Sequence, residues 1–432
     1  MIGRDLATAT PAAQKPSLER YVRWLLYVTI ACMPLYVVRW HYGPLPTTLL
    51  ETLIVVTVAL YVYVRWREGV RRPVATRYDI PVILLLVAGA IAIFVAKDHR
   101  AALGLYRAYF VEPVAVFYVA IDLLKGTEHR MSAVLAFAVG SSVFAALNLV
   151  AFGQALAAHH VSVGLAPHAL YDDANPVAMY LEPPFALAAA FLFFGQTSRL
   201  KLMGLVWLAF VGSALLVMFS KGAYVALVGF VLVAILTVPR WRLPLIGGLV
   251  AVAAIATQIS LVYQRLVTVL PSLQGREAIF GAALDDIRAH PLFGVGLGGF
   301  TYQFRGVTPE IYPHDMWLTF WVEIGLLGVL AFAAVFLMLL WTGWRAWPGA
   351  PRADRAAIWG VLGGLILWLL HGLVDSPYWK NDMAVEFWVM AALLLVTLRG
   401  IYKPIAPFEP VKPVDPVKPV EPVKKDAAPA TG

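Results

Sequence analysis

Apolar runs of about 18 to 22 residues recur along almost the whole chain, each long enough to cross a hydrocarbon core about 30 Å thick. A soluble domain carries about 25% charged residues. Here only 14% of 432 residues are charged and 60% are hydrophobic, with a mean hydropathy of +0.75. The chain reads as an all-α, polytopic integral membrane protein. Hydropathy places about twelve transmembrane helices, near 21–38, 46–64, 80–96, 102–123, 132–152, 177–194, 201–219, 223–238, 243–262, 316–340, 355–374 and 383–398. The first run begins only after "PSLERYVRW" and has no small-residue cleavage site behind it, so it is expected to remain as a span. The single cysteine, Cys32, lies within that run and admits no intrachain disulfide and no thiolate cluster.

Lys and Arg in short loops set orientation. They gather after even-numbered spans, in "RWREGVRRPVATR", "KGTEHR", "SRLK", "PRWR" and "WRAWPGAPRADR". Both termini are therefore expected in the cytoplasm. The 263–315 loop falls on the outer side although it carries Arg265, Arg276, Arg288 and Arg305; long loops cross regardless of charge. Three parts follow: a cytoplasmic segment over 1–20, a membrane domain over 21–400 that includes this long loop, and a tail over 401–432. The tail repeats Pro-Val-charge in "PVKPVDPVKPVEPVKK", the three-residue period of polyproline II, and is expected to be disordered in the cytoplasm. Beside a bilayer a basic end meets anionic lipid rather than nucleic acid.

Ionisable groups within spans are costly, so their placement is informative. Glu51, Arg107, Glu182, Lys221, Glu323, His371, Asp375 and Glu386 all fall in the outer half or at its edge. Pairing with neighbours accounts for some of them, Glu51 and Glu386 first. A hydrated cavity open to the outer side accounts for Arg107, about 10 Å inside its span. In the long loop, "GREAIFGAALDDIRAH" places Ile279, Phe280, Ala283, Leu284 and Ile287 on one helical face. That suits an amphipathic helix lying on the bilayer, with Arg265, Arg276 and Arg288 converging near the headgroups. The following "GVGLGG" matches G-x-G-x-x-G without the strand and βαβ unit a dinucleotide site needs. Its glycines serve a tight re-entry turn or a close backbone approach. His159, His160, His168, Asp172 and Asp173 show no metal-ligand spacing, and neither a metal nor another cofactor is expected.

The segments "GREAIFGAALDDIRAHPLFGVGLGGF", "PHDMWLTFWVEIGLLG" and "HGLVDSPYWKNDMAVEFW" resemble the signature region of bacterial O-antigen ligases, which Wzy-type polymerases share. Upstream, "DDANPVAMYL" and "FSKGAYVAL" are similar to that family's "NP.A.YL" and "SRGA" elements, so the resemblance covers about 170–390. Two positions depart from the pattern. Lys221 stands for the usual arginine of "SRG", and Asp315 for the asparagine that follows the histidine.

The resemblance implies a GT-C-like, metal-independent glycosyltransferase of the inner membrane with its active site facing the periplasm. Its donor would be O-antigen polysaccharide on undecaprenyl diphosphate, and its acceptor a sugar of lipid A–core. A departing diphosphate needs fixed cations: Arg265 and Arg288 first, then Lys221 and Arg107, with Arg276 in support. The acceptor hydroxyl needs a base, and His314 suits that at neutral pH. Asp375, or else Asp315, would orient its ring. A Wzy-type polymerase would use a second lipid-linked sugar as acceptor, but only one outer loop here is both long and arginine-bearing, which favours a ligase. A lipid-linked sugar flippase ranks lower, because charge gathers toward one face and the halves show no repeat.

Overall fold

The computed structural model describes residues 17–43, 45–70, 74–162, 166–258, 263–264, 276–303 and 310–399. Arg265, Arg305 and the 401–432 tail lie outside the described residues. The described chain is built from α1 (Leu18–Ala31), α2 (Leu49–Arg67), α3 (Asp79–Val95), α4 (His99–Tyr106), α5 (Glu112–Leu123), α6 (Thr127–Ala157), α7 (Ala174–Phe194), α8 (Ser198–Val217), α9 (Lys221–Thr237), α10 (Arg242–Gln258), α11 (Glu277–Ala289), α12 (Met316–Ala346), α13 (Arg352–His371) and α14 (Asn381–Arg399). A π-helical turn, Arg107–Val111, joins α4 to α5.

Each of the twelve apolar runs contains helix, yet among the described residues fewer than twelve stand alone as full spans. Eight described helices are long and apolar enough by themselves, counting α4 to α5 as one. Prolines explain much of the shortfall, because they cannot continue a helix. Pro34 follows the end of α1 and opens a 3₁₀ turn, Met33–Val37; α9 and α10 are separated at Val238–Pro239 and bent by 114°. α3 is apolar but has 17 residues. An unforeseen hairpin of β1 (Arg39–Tyr42) and β2 (Leu45–Thr48) precedes α2, which Thr48 and Glu51 open with a capping box.

The centre of the bundle is α14, buried along its whole length, with α5 and α13 packed against it and α7 packed on α13. Two prolines in this core each remove a donor from the carbonyl four residues earlier. The Trp368 indole donates to the Met179 carbonyl that Pro183 leaves unmet, at 2.9 Å. The Tyr378 hydroxyl donates to the Tyr109 carbonyl that Pro113 leaves unmet, at 2.8 Å. In lipid such an orphan carbonyl has no water to turn to.

α11 differs from its expected position on the bilayer. Ile279, Ala283 and Ile287 pack with Phe300 and Val322 of α12, while Leu284 stays exposed. The helix therefore docks on protein. The "GVGLGG" turn follows it back against a break in α12, where Gly325 adopts φ 71° and ψ −174°. That break frees the Val322 carbonyl, which accepts from Val295 N–H at 2.7 Å; Leu326 N–H donates to Pro291 at 3.2 Å. A Cβ on Gly325 would lie 2.1 Å from the Leu292 carbonyl oxygen, so close backbone approach is the use of these glycines.

Candidate active site

α12 starts where it does because Asp315 caps it, its carboxylate accepting from Leu318 N–H at 2.8 Å. Two further bonds tie this helix head to the turn that follows α13. Met316 N–H donates to the Gly372 carbonyl at 2.8 Å, and the Thr319 and Ser376 hydroxyls meet at 2.8 Å. The two segments thus hold one fixed geometry, and His314 and Asp375 sit at their junction.

The His314 ring is contacted on both nitrogens. Nδ1 lies 3.3 Å from Asp375 Oδ1, and Nε2 lies 3.2 Å from Glu310 Oε2. Asp375 is itself held by Ser376 N–H at 2.9 Å and by the Asn175 amide at 3.4 Å. Arg276, at the head of α11, donates to the carbonyl of Val374, next to Asp375. Burial works against a charged His314, but the hydrogen bond and charge of Asp375, helped by Glu310, raise its pKa above the ordinary histidine value. Burial likewise opposes the Asp375 carboxylate, and His314, His371 and Arg276 overcome it and hold its pKa below the usual range.

Backbone strain concentrates here. His314 has φ 55°, Phe219 just before Ser220 and Lys221 has φ 51°, and Tyr378 shortly after Asp375 has φ 88°. Left-handed backbone is rare outside glycine, and where the fold enforces it the site is often functional.

A second, fully buried pair lies behind the first. His371 Nδ1 is 2.6 Å from Glu182 Oε1, joining α13 to α7. Gly222 passes directly over this ring, for a Cβ there would come within 2.4 Å of His371 Nε2. Ser220 caps α9 at 3.3 Å, so Lys221 starts that helix beside His371. All the segments quoted for the resemblance thereby meet: Asn175 touches Asp375, the Lys221 turn lies over His371, and His371 and Asp375 belong to one turn.

Not every expected site residue joins this cluster. Arg276 and Arg288 occupy opposite ends of α11, roughly 18 Å apart at helical rise, so the guanidiniums do not converge as expected. Arg288 is 72% exposed and ion-paired with Asp285 at 2.7 Å. Arg107 lies 2.7 Å from Glu51 and 3.1 Å from Glu112, both almost buried, which already compensate its charge. That pairing draws Arg107 toward Glu51 and Glu112 rather than toward the His314 cluster. Asp315 spends its carboxylate on the helix cap, and Asp375 takes the position beside the ring. Glu51 is paired as expected, also accepting from the Asn381 amide at 3.1 Å. Glu386 is not: it is fully buried, and neither oxygen has a hydrogen-bond partner among the described residues.

Glu310 was missed. Its four-residue spacing from His314 signals proximity only on a helix, whereas here a loop, bridged to Tyr302, brings the two together. Among the described residues no group of three or more His, Cys, Asp or Glu is arranged to hold a metal ion.

Residues 184–333 match the family model described as O-Antigen ligase. The match covers about a third of the chain and supports membership of the O-antigen ligase/Wzy superfamily. No curated protein matches it. The superfamily is glycosyltransferase-like, comprises ligases and polymerases, and acts on lipid-linked polysaccharides. The matched region includes Lys221, Arg276, Arg288 and His314; Asn175, His371 and Asp375 lie outside it.

Proposed function

We propose that this protein is an O-antigen ligase, transferring polysaccharide from undecaprenyl diphosphate to lipid A–core at the periplasmic face of the inner membrane. The observation that carries the reading is the His314–Asp375 pair, fixed at the head of a membrane-spanning helix with Arg276 beside it. A histidine held there by a carboxylate suits the role of base toward lipid-anchored substrates.

In the proposed reaction the acceptor hydroxyl oxygen bonds to the anomeric carbon of the donor. The bond from that carbon to the diphosphate oxygen breaks, and its electron pair leaves with the diphosphate. His314 takes the hydroxyl proton, while Asp375 stabilises the imidazolium and fixes the ring. Cations would offset the charge developing on the diphosphate without a metal: Arg276 beside the Asp375 turn, Lys221 from the turn that lies over His371, and Arg288 and Arg265 from the long loop. The Arg288–Asp285 pair is no obstacle, because an exposed ion pair contributes little and exchanges readily. Lys221 keeps the charge of the family's arginine without its bidentate geometry.

The test is transfer by purified protein in EDTA, from undecaprenyl-diphosphate-linked O-antigen, with lipid A–core or further donor as acceptor. Product on lipid A–core supports the ligase. Chain elongation instead identifies a Wzy-type polymerase, and lipid-linked sugar crossing vesicles with no new glycosidic bond identifies a flippase. His314→Ala, Arg265→Ala and Arg288→Ala should each abolish transfer while the protein still inserts, and Lys221→Arg should be tolerated where Lys221→Ala is not. Normal transfer by an alanine variant removes that residue from the site.

A further inference from the structure

Nδ1 of His314 is committed to Asp375, so Nε2 is the nitrogen left for an acceptor hydroxyl. Glu310 already stands there, at 3.2 Å. An ionised carboxylate only accepts hydrogen bonds. A ring with a carboxylate against each nitrogen is therefore complete as the imidazolium, a donor on both sides. In that form it takes no proton.

The two carboxylates are held very differently. The Asp375 side chain is 10% exposed and bonded to Ser376 and Asn175 as well as to the ring. The Glu310 side chain is 38% exposed, and among the described residues its contact is the ring alone. Its backbone is fixed, since N–H and carbonyl both pair with Tyr302 at 2.8 Å. Rotation about the Glu310 side-chain torsions thus frees Nε2 with no movement of the main chain.

We propose that Glu310 is a positioning residue that holds, before the acceptor arrives, the place of the acceptor's sugar hydroxyl on His314 Nε2, and that the hydroxyl displaces it. The proposal rests on the reading of His314 as the base. The charged groups facing the ring are Asp375 from the turn after α13, Glu310 from the ring's own loop and Arg276 from the head of α11. Displacing Glu310 leaves one carboxylate against one guanidinium, so the ring releases its extra proton to solvent and turns a lone pair toward the hydroxyl. Nε2 then takes the hydroxyl proton as the new glycosidic bond forms and the bond to diphosphate breaks. Glu310, returning to the resulting imidazolium, restores the starting state. An unoccupied base is in this way kept charged and inactive.

Glu310→Gln and Glu310→Ala test this with saturating undecaprenyl-diphosphate-linked O-antigen, varied lipid A–core and varied pH. In both variants the acid limb of kcat/KM for lipid A–core should move to lower pH. At pH 6 the value should rise roughly two- to fivefold, the scale of one half-exposed ion pair. A merely structural role would lower kcat and thermal stability without moving the limb. A folded variant whose acid limb matches wild type overturns the proposal, and so does a loss of turnover as deep as that of His314→Ala. That last variant, measured in parallel, separates the two readings. Wild-type transfer by His314→Ala removes the base assignment itself; an inactive His314→Ala beside an unshifted Glu310→Gln removes only the displacement by acceptor.

Discussion

His314 and Asp375 are 61 residues apart in sequence and meet at 3.3 Å across two helix ends. The buried partner is the carboxylate, which stays ionised because the histidine and Arg276 face it. The pair thus favours a proton on the ring.

A first consequence concerns pH. A base acts in its unprotonated form, and the His314 pKa is raised above its ordinary value near 6.5. Transfer should therefore climb with pH and reach half its maximum above about pH 6.5. Asp375→Asn removes the largest raising influence, so the acid limb should move to lower pH while the plateau falls. Initial rates against pH for the two proteins check both signs; an unshifted limb in Asp375→Asn would separate that residue from the base.

Arg107 and Arg276 should fail differently. Removing Arg107 leaves Glu51 and Glu112 almost buried and uncompensated, which for a broken buried pair costs about 3 kcal/mol. Arg107→Ala should lower the melting temperature in detergent. Arg276→Ala should melt near wild type and lose transfer. Thermal unfolding beside transfer rates would detect the reverse pattern and restore Arg107 to the site.

At Gly325 both backbone and space exclude a side chain, with φ 71° and a carbonyl 2.1 Å from a new Cβ. Gly325→Ala should cost roughly 2–4 kcal/mol, more than strain alone, and dislodge the turn that α11 leads into. Gly104 offers a control, since a Cβ there meets nothing within 4 Å and alanine suits a helix better. Monodisperse yield and melting temperature should drop for the first variant and hold or rise for the second.

Trp368→Phe keeps the aromatic bulk and removes the donor to Met179. A buried carbonyl left without a partner costs about 1–3 kcal/mol, so the melting temperature should fall. Pro183→Ala in the same chain restores a backbone N–H four residues after that carbonyl. The double variant should recover part of the loss, which measurement of all three proteins will show.

The amino-acid sequence by itself determined that the chain is a helical membrane protein, and roughly where each helix runs, because apolar length and Pro, Ser, Thr and Asp signals act over a few residues. The decoy status of "GVGLGG" is local in the same sense. It also gathered Asn175, Lys221, His314, His371 and Asp375 into a few short segments. Their contacts were decided only by tertiary structure. Which carboxylate orients His314, whether Arg107 is already compensated, and that Glu310 reaches the ring all depend on groups brought together from distant helices and loops. In a low-dielectric interior the pairing of a charge governs what it does, and no local pattern records which partner the fold supplies.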